Sequence, residues 1–204
     1  MSKNWSLILV VAFALGFGAY TYINTTPDTD TQQDNAQQDT ANDDGTVTLL
    51  GKGDQPVNLF DEADSRVRIV YFGFTHCPDV CPTELAMLAG ALNQLDASTL
   101  EKIRPVFITL DPERDSADIS AEYAHYFHKS IEGLSAPLKV INPLAQQYGV
   151  IFRKTELKDS ELKYTLDHSS YFYFIKPDGS LITKVPHTLT PDPIIDAIKT
   201  ITEE

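Results

Sequence analysis

The only two cysteines of this 204-residue chain, Cys77 and Cys81, lie four residues apart in the segment GFTHCPDVCPTEL. The apolar segment VRIVYFGF precedes them and leucines at helical spacing follow, which predicts a position between a buried strand and the start of a helix. Positions i and i+4 share a helix face, and the positive end of the helix dipole favours the thiolate. Such a pair either binds a metal ion or exchanges disulfides.

The spacing of the pair argues against a purely structural disulfide, because closing a loop of only five residues stabilises a domain little. A redox couple fits the position, although the usual redox motif has two intervening residues and this one has three. Two thiolates also select Cu(I) or Zn, and a third donor would complete such a site. The cysteines by themselves therefore leave redox chemistry and metal binding open.

A third donor has to come from one of five histidines: His76, His125, His128, His168 and His187. We expect His125 and His128 on a partly exposed helix face and His76 in a structural or capping role, while the pattern says little about His187. His168 follows Asp167 directly before the apolar segment YFYFI, at a junction that faces the cysteine loop in a thioredoxin-like layout. His168 is therefore the candidate ligand, with Asp167 as the residue that would orient its imidazole.

The elements that must position these residues alternate between strand and helix patterns. Strands are predicted at 67–74 and 105–110, helices at 82–95 and 116–127, a hairpin at 171–175 and 181–185, and a final helix with Thr190 as N-cap and Pro191 in its first position. This order predicts an α/β domain of the thioredoxin-like fold, a central mixed sheet flanked by helices.

The N-terminal residues predict a membrane anchor. Residues 5–23 carry no charge and are long enough to cross a bilayer, and Lys3 before them favours residues 1–4 in the cytoplasm. Residues 24–46 are polar and acidic and predict a disordered linker, and residues 47–204 the folded domain. A cleaved signal peptide is the competing interpretation, but the apolar segment is long for one. We expect a bacterial inner-membrane protein with its domain in the periplasm.

The charge of the chain excludes one class of partner. It has 16 basic and 29 acidic residues, a net charge of −13. Because binding to nucleic acid requires a basic face that neutralises phosphates, nucleic acid is not an expected partner.

Four motifs together resemble the Sco/SenC family of copper proteins: YFGFTHCPDVCPTEL, ITLDPERDS, YGVIFRK and DHSSYFYFIKPDG. The resemblance covers the exported domain and implies that Cys77, Cys81 and His168 bind copper, as Cu(I) with Cu(II) also allowed. It further implies a metallochaperone that receives copper from a periplasmic donor and delivers it to the dinuclear copper centre of cytochrome c oxidase subunit II. The segment 111–115 is interpreted as a structural loop in which Arg114 is paired.

The same resemblance allows a second function, a thiol-disulfide oxidoreductase that reduces the cysteines of that copper centre through Cys77 and Cys81. A peroxide-reducing enzyme or a redox sensor is a third hypothesis, but it gives His168 no role. His168 therefore discriminates among these functions.

Overall fold

The computed structural model describes residues 47–158 and 160–203, which form nine strands and five α-helices. In chain order these are β1 (Thr48–Gly51), a 3-10 turn (Lys52–Asp54), β2 (Gln55–Asn58), β3 (Val67–Gly73), α1 (Val80–Leu92), α2 (Ala97–Leu100), β4 (Ile103–Thr109), α3 (Ala117–Phe127), β5 (Glu132–Leu134), α4 (Leu138–Gln147), β6 (Phe152–Glu156), β7 (Tyr164–His168), β8 (Tyr171–Ile175), β9 (Leu181–Pro186) and α5 (Asp192–Thr202).

A five-stranded mixed sheet is the centre of the domain, with the strand order β5-β4-β3-β8-β9. Strands β3, β4 and β5 are parallel, whereas β8 and β9 are antiparallel to their neighbours. Every residue of β4 is buried, and so is every residue of β3 after the first. Parallel strands covered on both faces have this continuous apolar pattern. The predicted α/β domain with a central mixed sheet flanked by helices is confirmed.

The hairpin β8-β9 turns at Gly179, whose φ of 84° lies in the left-handed region that glycine adopts without strain. The two strands then place residue 171 opposite Pro186 at one end and Ile175 opposite Leu181 at the other. The residues that follow β7 thus meet the residues that follow β9 at one end of the sheet.

Several elements were not predicted from the sequence. Strands β1 and β2 form a small antiparallel pair, and β6 and β7 form a second pair, a hairpin outside the central sheet. Only one of the ten strand residues of the β6-β7 hairpin, Leu166, is buried, so its sequence lacks the apolar signal of a buried strand. Helix α4 begins without a side-chain cap and contains Pro143, so its sequence lacks the usual start signal of a helix and includes a residue that normally interrupts one.

Some predicted boundaries were wrong by a few residues. Helix α5 begins at Asp192 with Pro191 as its N-cap, so neither Thr190 nor Pro191 has the predicted position. Helix α1 begins at Val80, two residues before the predicted start, and Cys77 precedes it. The predicted anchor at 5–23 and linker at 24–46 lie outside the described residues. Within the part of the chain that is described, no helix is long and apolar enough to cross a membrane.

Candidate metal site

The cysteine loop begins where β3 ends, at a glycine that the site requires. A Cβ atom on Gly73 would lie 3.0 Å from Cys81 Sγ and 2.9 Å from an edge carbon of the Tyr71 ring. Both neighbours are fully buried, so neither has room to move away. Gly73 therefore lets the Cys81 sulfur pack directly against the end of the strand.

A buried carboxylate fixes the residues between Gly73 and Cys77. Asp115, which is fully buried, accepts hydrogen bonds from Thr75 N at 2.8 Å and Thr75 Oγ1 at 2.5 Å, and from Thr109 Oγ1 at 2.6 Å. Thr109 is the last residue of β4, so this carboxylate joins the cysteine loop to the neighbouring strand. Sequence reasoning missed this role, because nothing in the residue pattern distinguishes Asp115 from the other acids of its loop.

The two sulfurs differ in exposure. Cys77 is half-buried and lies before α1, whereas Cys81 is fully buried in the first turn of α1, and both are free thiols. The Cys81 backbone N–H donates a hydrogen bond to Cys77 Sγ at 3.4 Å. The predicted shared direction of the sulfurs holds, although Cys77 itself is not helical.

His168 is the last residue of β7 and completes the group. Its Nε2 lies 3.4 Å from Cys81 Sγ, and its Nδ1 lies 2.9 Å from the backbone oxygen of Ser169. When Nδ1 carries the proton and donates to that carbonyl, Nε2 offers its lone pair toward the sulfurs. The rings of Phe74 and Tyr71 meet the imidazole edge-on at centroid distances of 5.8 and 6.3 Å.

The prediction that Asp167 orients this imidazole is wrong. The Asp167 carboxylate accepts hydrogen bonds from Arg153 at 3.0 Å and from Thr155 at 2.7 Å, on the exposed face of the hairpin. Successive residues of a strand point to opposite faces, so a carboxylate next to His168 in β7 points away from it. The Ser169 carbonyl has the orienting role instead.

Cys77, Cys81 and His168 each place one donor atom within 4.8 Å of the others. Among the described residues this is the only group of three or more His, Cys, Asp or Glu with such a geometry. The other four histidines are not part of it. The structure thus brings together the three residues that the family resemblance singled out.

The protonation of the two thiols is divided unequally. Hydrogen bonding from the Cys81 side chain, and then from His168, holds the pKa of the Cys77 thiol well below its ordinary value against the opposing effect of burial. Hydrogen bonding to Cys77 and burial raise the pKa of Cys81. These opposite shifts make Cys77 the thiol that ionises first in the metal-free protein.

A second buried acid supports the other side of the site. Glu84 is fully buried on α1, one turn after Cys81, and its Oε1 accepts hydrogen bonds from His187 Nδ1 and from Thr188 N. Burial raises the pKa of Glu84. This contact ties the loop after β9 to α1, and no periodicity in the sequence pairs residues so far apart.

The loop at 111–115 has the predicted character. Arg114 pairs with Asp111 and donates to the backbone oxygen of Tyr164, while its guanidinium stacks 3.8 Å from the centre of the Tyr164 ring. The Tyr164 hydroxyl donates to Asp111 at 2.8 Å. The loop is therefore structural, and it anchors the strand that carries His168.

Comparison with known proteins places this domain in a family. The model of the SCO1/SenC family matches residues 35–203. The SCO2-like protein of Rickettsia felis is 31% identical over 196 residues, 95% of each chain, and the mitochondrial SCO1 homolog 1 of Arabidopsis thaliana is 41% identical over 114 residues. That Arabidopsis match covers 56% of this chain and 34% of the relative. The chain spans a third to a half of the mitochondrial relatives it matches.

Solved structures show the same architecture. Arabidopsis thaliana ScoI, solved with copper bound, superposes with a TM-score of 0.69 at 33% identity, covering 78% of this chain and 98% of that one. The family match and these likenesses confirm the resemblance carried by the cysteine, DPERD and histidine motifs. The chain belongs to the SCO1/SenC family.

Proposed function

We propose that this protein is a copper carrier that holds the ion between Cys77, Cys81 and His168. The single observation that carries the proposal is the clustering of two thiol sulfurs and one imidazole nitrogen within 4.8 Å. Two thiolates and a neutral imidazole are soft donors that match Cu(I). The copper-bound Arabidopsis structure supports copper as the ion.

The arrangement suits an ion that is passed on. A structural metal site is usually closed by four protein ligands. Here the described residues supply three, and both Cys77 and His168 are only half-buried. A partner can therefore bring its own donors to the exposed side of the ion and replace these ligands one at a time.

The acceptor we propose is the dinuclear copper centre on subunit II of cytochrome c oxidase, and the donor a periplasmic copper protein. The membership in the SCO1/SenC family supports an oxidase partner. The uncharged segment at 5–23 supports a single anchor in the bacterial inner membrane, with the domain in the periplasm.

Copper titration tests the carrier. We expect the reduced protein to bind one Cu(I) in competition with a chromophoric chelator, and His168→Ala to weaken the affinity by at least about tenfold, since loss of an outer-shell partner alone weakens metal sites by 10–100-fold. His125→Ala on the exposed face of α3 is the matched control and should bind as the wild type does. Full affinity in His168→Ala would contradict the three-ligand site.

The depressed pKa of Cys77 favours a second candidate function, the reduction of disulfides. The Cys77 thiolate would attack one sulfur of a partner disulfide and displace the other as a thiolate, and Cys81 would then resolve the mixed disulfide. The partner gains two thiols while this protein gains a Cys77–Cys81 disulfide, so the electrons balance.

Trapping of a mixed disulfide distinguishes disulfide reduction from copper transfer. Cys81→Ser should accumulate a mixed disulfide with oxidised subunit II domain if reduction occurs, and Cys77→Ser should not. His168→Ala should still reduce the partner, because the hydrogen bond from Cys81, the largest cause of the lowered pKa of Cys77, remains in this variant. If this protein reduces the partner disulfide but binds no copper, only the second candidate function, disulfide reduction, is supported.

A further inference from the structure

Three uncharged segments lie beside the elements that carry the ligands: residues 149–152, 169–171 and 185–191. The cysteine loop between β3 and α1 adds one charged residue, the exposed Asp79. None of the residues in the three segments is Lys, Arg, Asp or Glu, in a chain of which 22% is charged. We call these three segments the neutral rim. Cores of protein interfaces are depleted in charge and enriched in apolar side chains in the same way.

Hydrogen bonds place the rim beside the ligands. The Ser169 N–H donates to the Ile151 backbone oxygen at 2.9 Å, the Ile151 N–H donates to Ser169 Oγ at 3.1 Å, and the Ser169 carbonyl is the contact of His168. His187 N donates to the Ser170 oxygen at 3.2 Å, and Thr188 N donates to Glu84 on the cysteine helix. The rim is thus bonded to both ligand-bearing elements.

The rim also holds the two most exposed large aliphatic side chains of the described residues, Ile151 at 76% and Leu189 at 75%. Single exposed apolar side chains are ordinary on a protein surface. Here one flanks the histidine side of the site and the other flanks the helix side. Backbone bonds to Ser169 and Ser170 hold the two segments in place, so their side chains are presented by ordered loops.

We propose that the neutral rim is the docking surface for the copper acceptor, the copper domain of cytochrome c oxidase subunit II, and that the face of this partner around its own copper ligands is apolar and uncharged. The inference rests on the proposed carrier function. Any protein that places its donors within bonding distance of an ion held by the half-buried Cys77 and His168 must cover the loops around them. Ile151 and Leu189 then lie at the centre of that contact.

The experiment measures copper transfer from the Cu(I)-loaded protein to the metal-free, reduced soluble domain of a cytochrome c oxidase subunit II. We expect the double variant Ile151→Ser, Leu189→Ser to slow transfer by at least about tenfold, because it replaces both of the exposed apolar side chains that the partner would cover with polar ones. The small chelator bathocuproine disulfonate should remove copper from the double variant at the wild-type rate, because a small molecule reaches the ion without contacting the neutral rim.

Two controls accompany it. Leu181→Ser alters another exposed leucine at the opposite end of the β8-β9 hairpin and should leave transfer unchanged. The conservative pair Ile151→Val, Leu189→Met should restore transfer to near the wild-type rate. Wild-type transfer by the serine double variant would overturn the docking surface while the carrier function stands.

Amide hydrogen exchange, measured on this protein with and without the subunit II domain, tests docking independently of copper transfer. We expect amides in 149–152 and 185–191 of the copper-free protein to be protected by the subunit II domain. A protein that binds no copper would contradict the carrier function, and protection of the rim would then still support docking. If neither copper transfer nor protection of these amides is observed, the proposal that subunit II docks on the neutral rim is wrong.

Discussion

The cysteine loop and the histidine hairpin meet at one site but are built differently. The cysteine loop extends from β3 into α1 and is fixed by Gly73 and the fully buried Asp115, inside the core of the central sheet. His168 lies at the end of a two-stranded hairpin outside that sheet. The hairpin is held by the stacking of Arg114 on Tyr164 and by ion pairs with exposed partners.

This difference in packing gives a physical reason why the proposed carrier could both bind a copper ion and release it. Two thiol donors come from a region in which displacement would disturb close packing, whereas the imidazole comes from a region whose contacts are mostly exposed. For the proposed carrier we therefore expect the thiols to set the strength of binding and the hairpin to set how readily one donor withdraws. Four predictions test this contrast, beginning with the largest expected effect.

Removing a core donor should weaken copper binding more than removing the hairpin donor. We expect Cys81→Ser to lower the Cu(I) affinity by more than about a hundredfold and His168→Ala by about ten- to a hundredfold, because even outer-shell changes reach that range and the thiolates bind Cu(I) most strongly. Competition with bicinchoninate measures both. A larger loss in His168→Ala would reverse the assigned roles of the two regions.

The two thiols should alkylate at different pH. Because the folded protein holds the pKa of Cys77 below its ordinary value, its thiolate is lost only when the pH falls far into the acid range. At pH 6 an ordinary thiol of pKa about 8.5 is only about 0.3% thiolate. Iodoacetamide should therefore modify Cys77 at pH 6 in the reduced, copper-free protein and spare Cys81, as measured by peptide mass spectrometry.

Denatured protein is the control for this measurement. In urea both cysteines should react equally and slowly at pH 6, since the hydrogen bonds to Cys77 are lost. Equal reaction of both thiols in the folded protein would contradict the unequal protonation.

Asp115→Ala should destabilise the cysteine region. The change leaves two hydrogen-bond donors of Thr75 and one of Thr109 without their acceptor, which should lower the free energy of unfolding by about 3 kcal/mol. Urea unfolding measures it. Asp96→Ala, which removes the exposed cap of α2, should lower the free energy of unfolding clearly less. A smaller effect at Asp115 than at Asp96 would show that the loop is not held from the core.

Tyr164→Ala should affect the hairpin region with the smallest change in global stability. We expect a loss of about 2 kcal/mol in the free energy of unfolding, because one hydrogen bond and two cation–π contacts of a partly buried ring are removed. Copper affinity should fall a few-fold. Arg153→Ala is the matched control, since its exposed pair with Asp167 contributes less than about 0.5 kcal/mol. Unchanged affinity in Tyr164→Ala would mean that the hairpin does not need this anchor.

The parts of the fold that could be predicted are those with a local signal. Strands β3 and β4 are continuous apolar segments, and α1 and α3 repeat their apolar residues at helical spacing, so each was recognised close to its observed bounds. The β6-β7 hairpin has mixed polarity because only one of its ten strand residues, Leu166, is buried, and it was missed. The role predicted for Asp167 was wrong because successive side chains along β7 point to opposite faces, so its carboxylate points away from the His168 imidazole.

The sequence by itself determined the paired thiols at a helix start, the acidic net charge, and the family through its motifs. Its residues alone left metal binding and redox chemistry equal. Only the tertiary structure decided that His168 meets the sulfurs, since the distance from Nε2 to Cys81 Sγ depends on how a hairpin and a helix far apart in the chain pack together. It also decided which buried acids hold the site, because burial and long-range hydrogen bonds exist only in the folded chain.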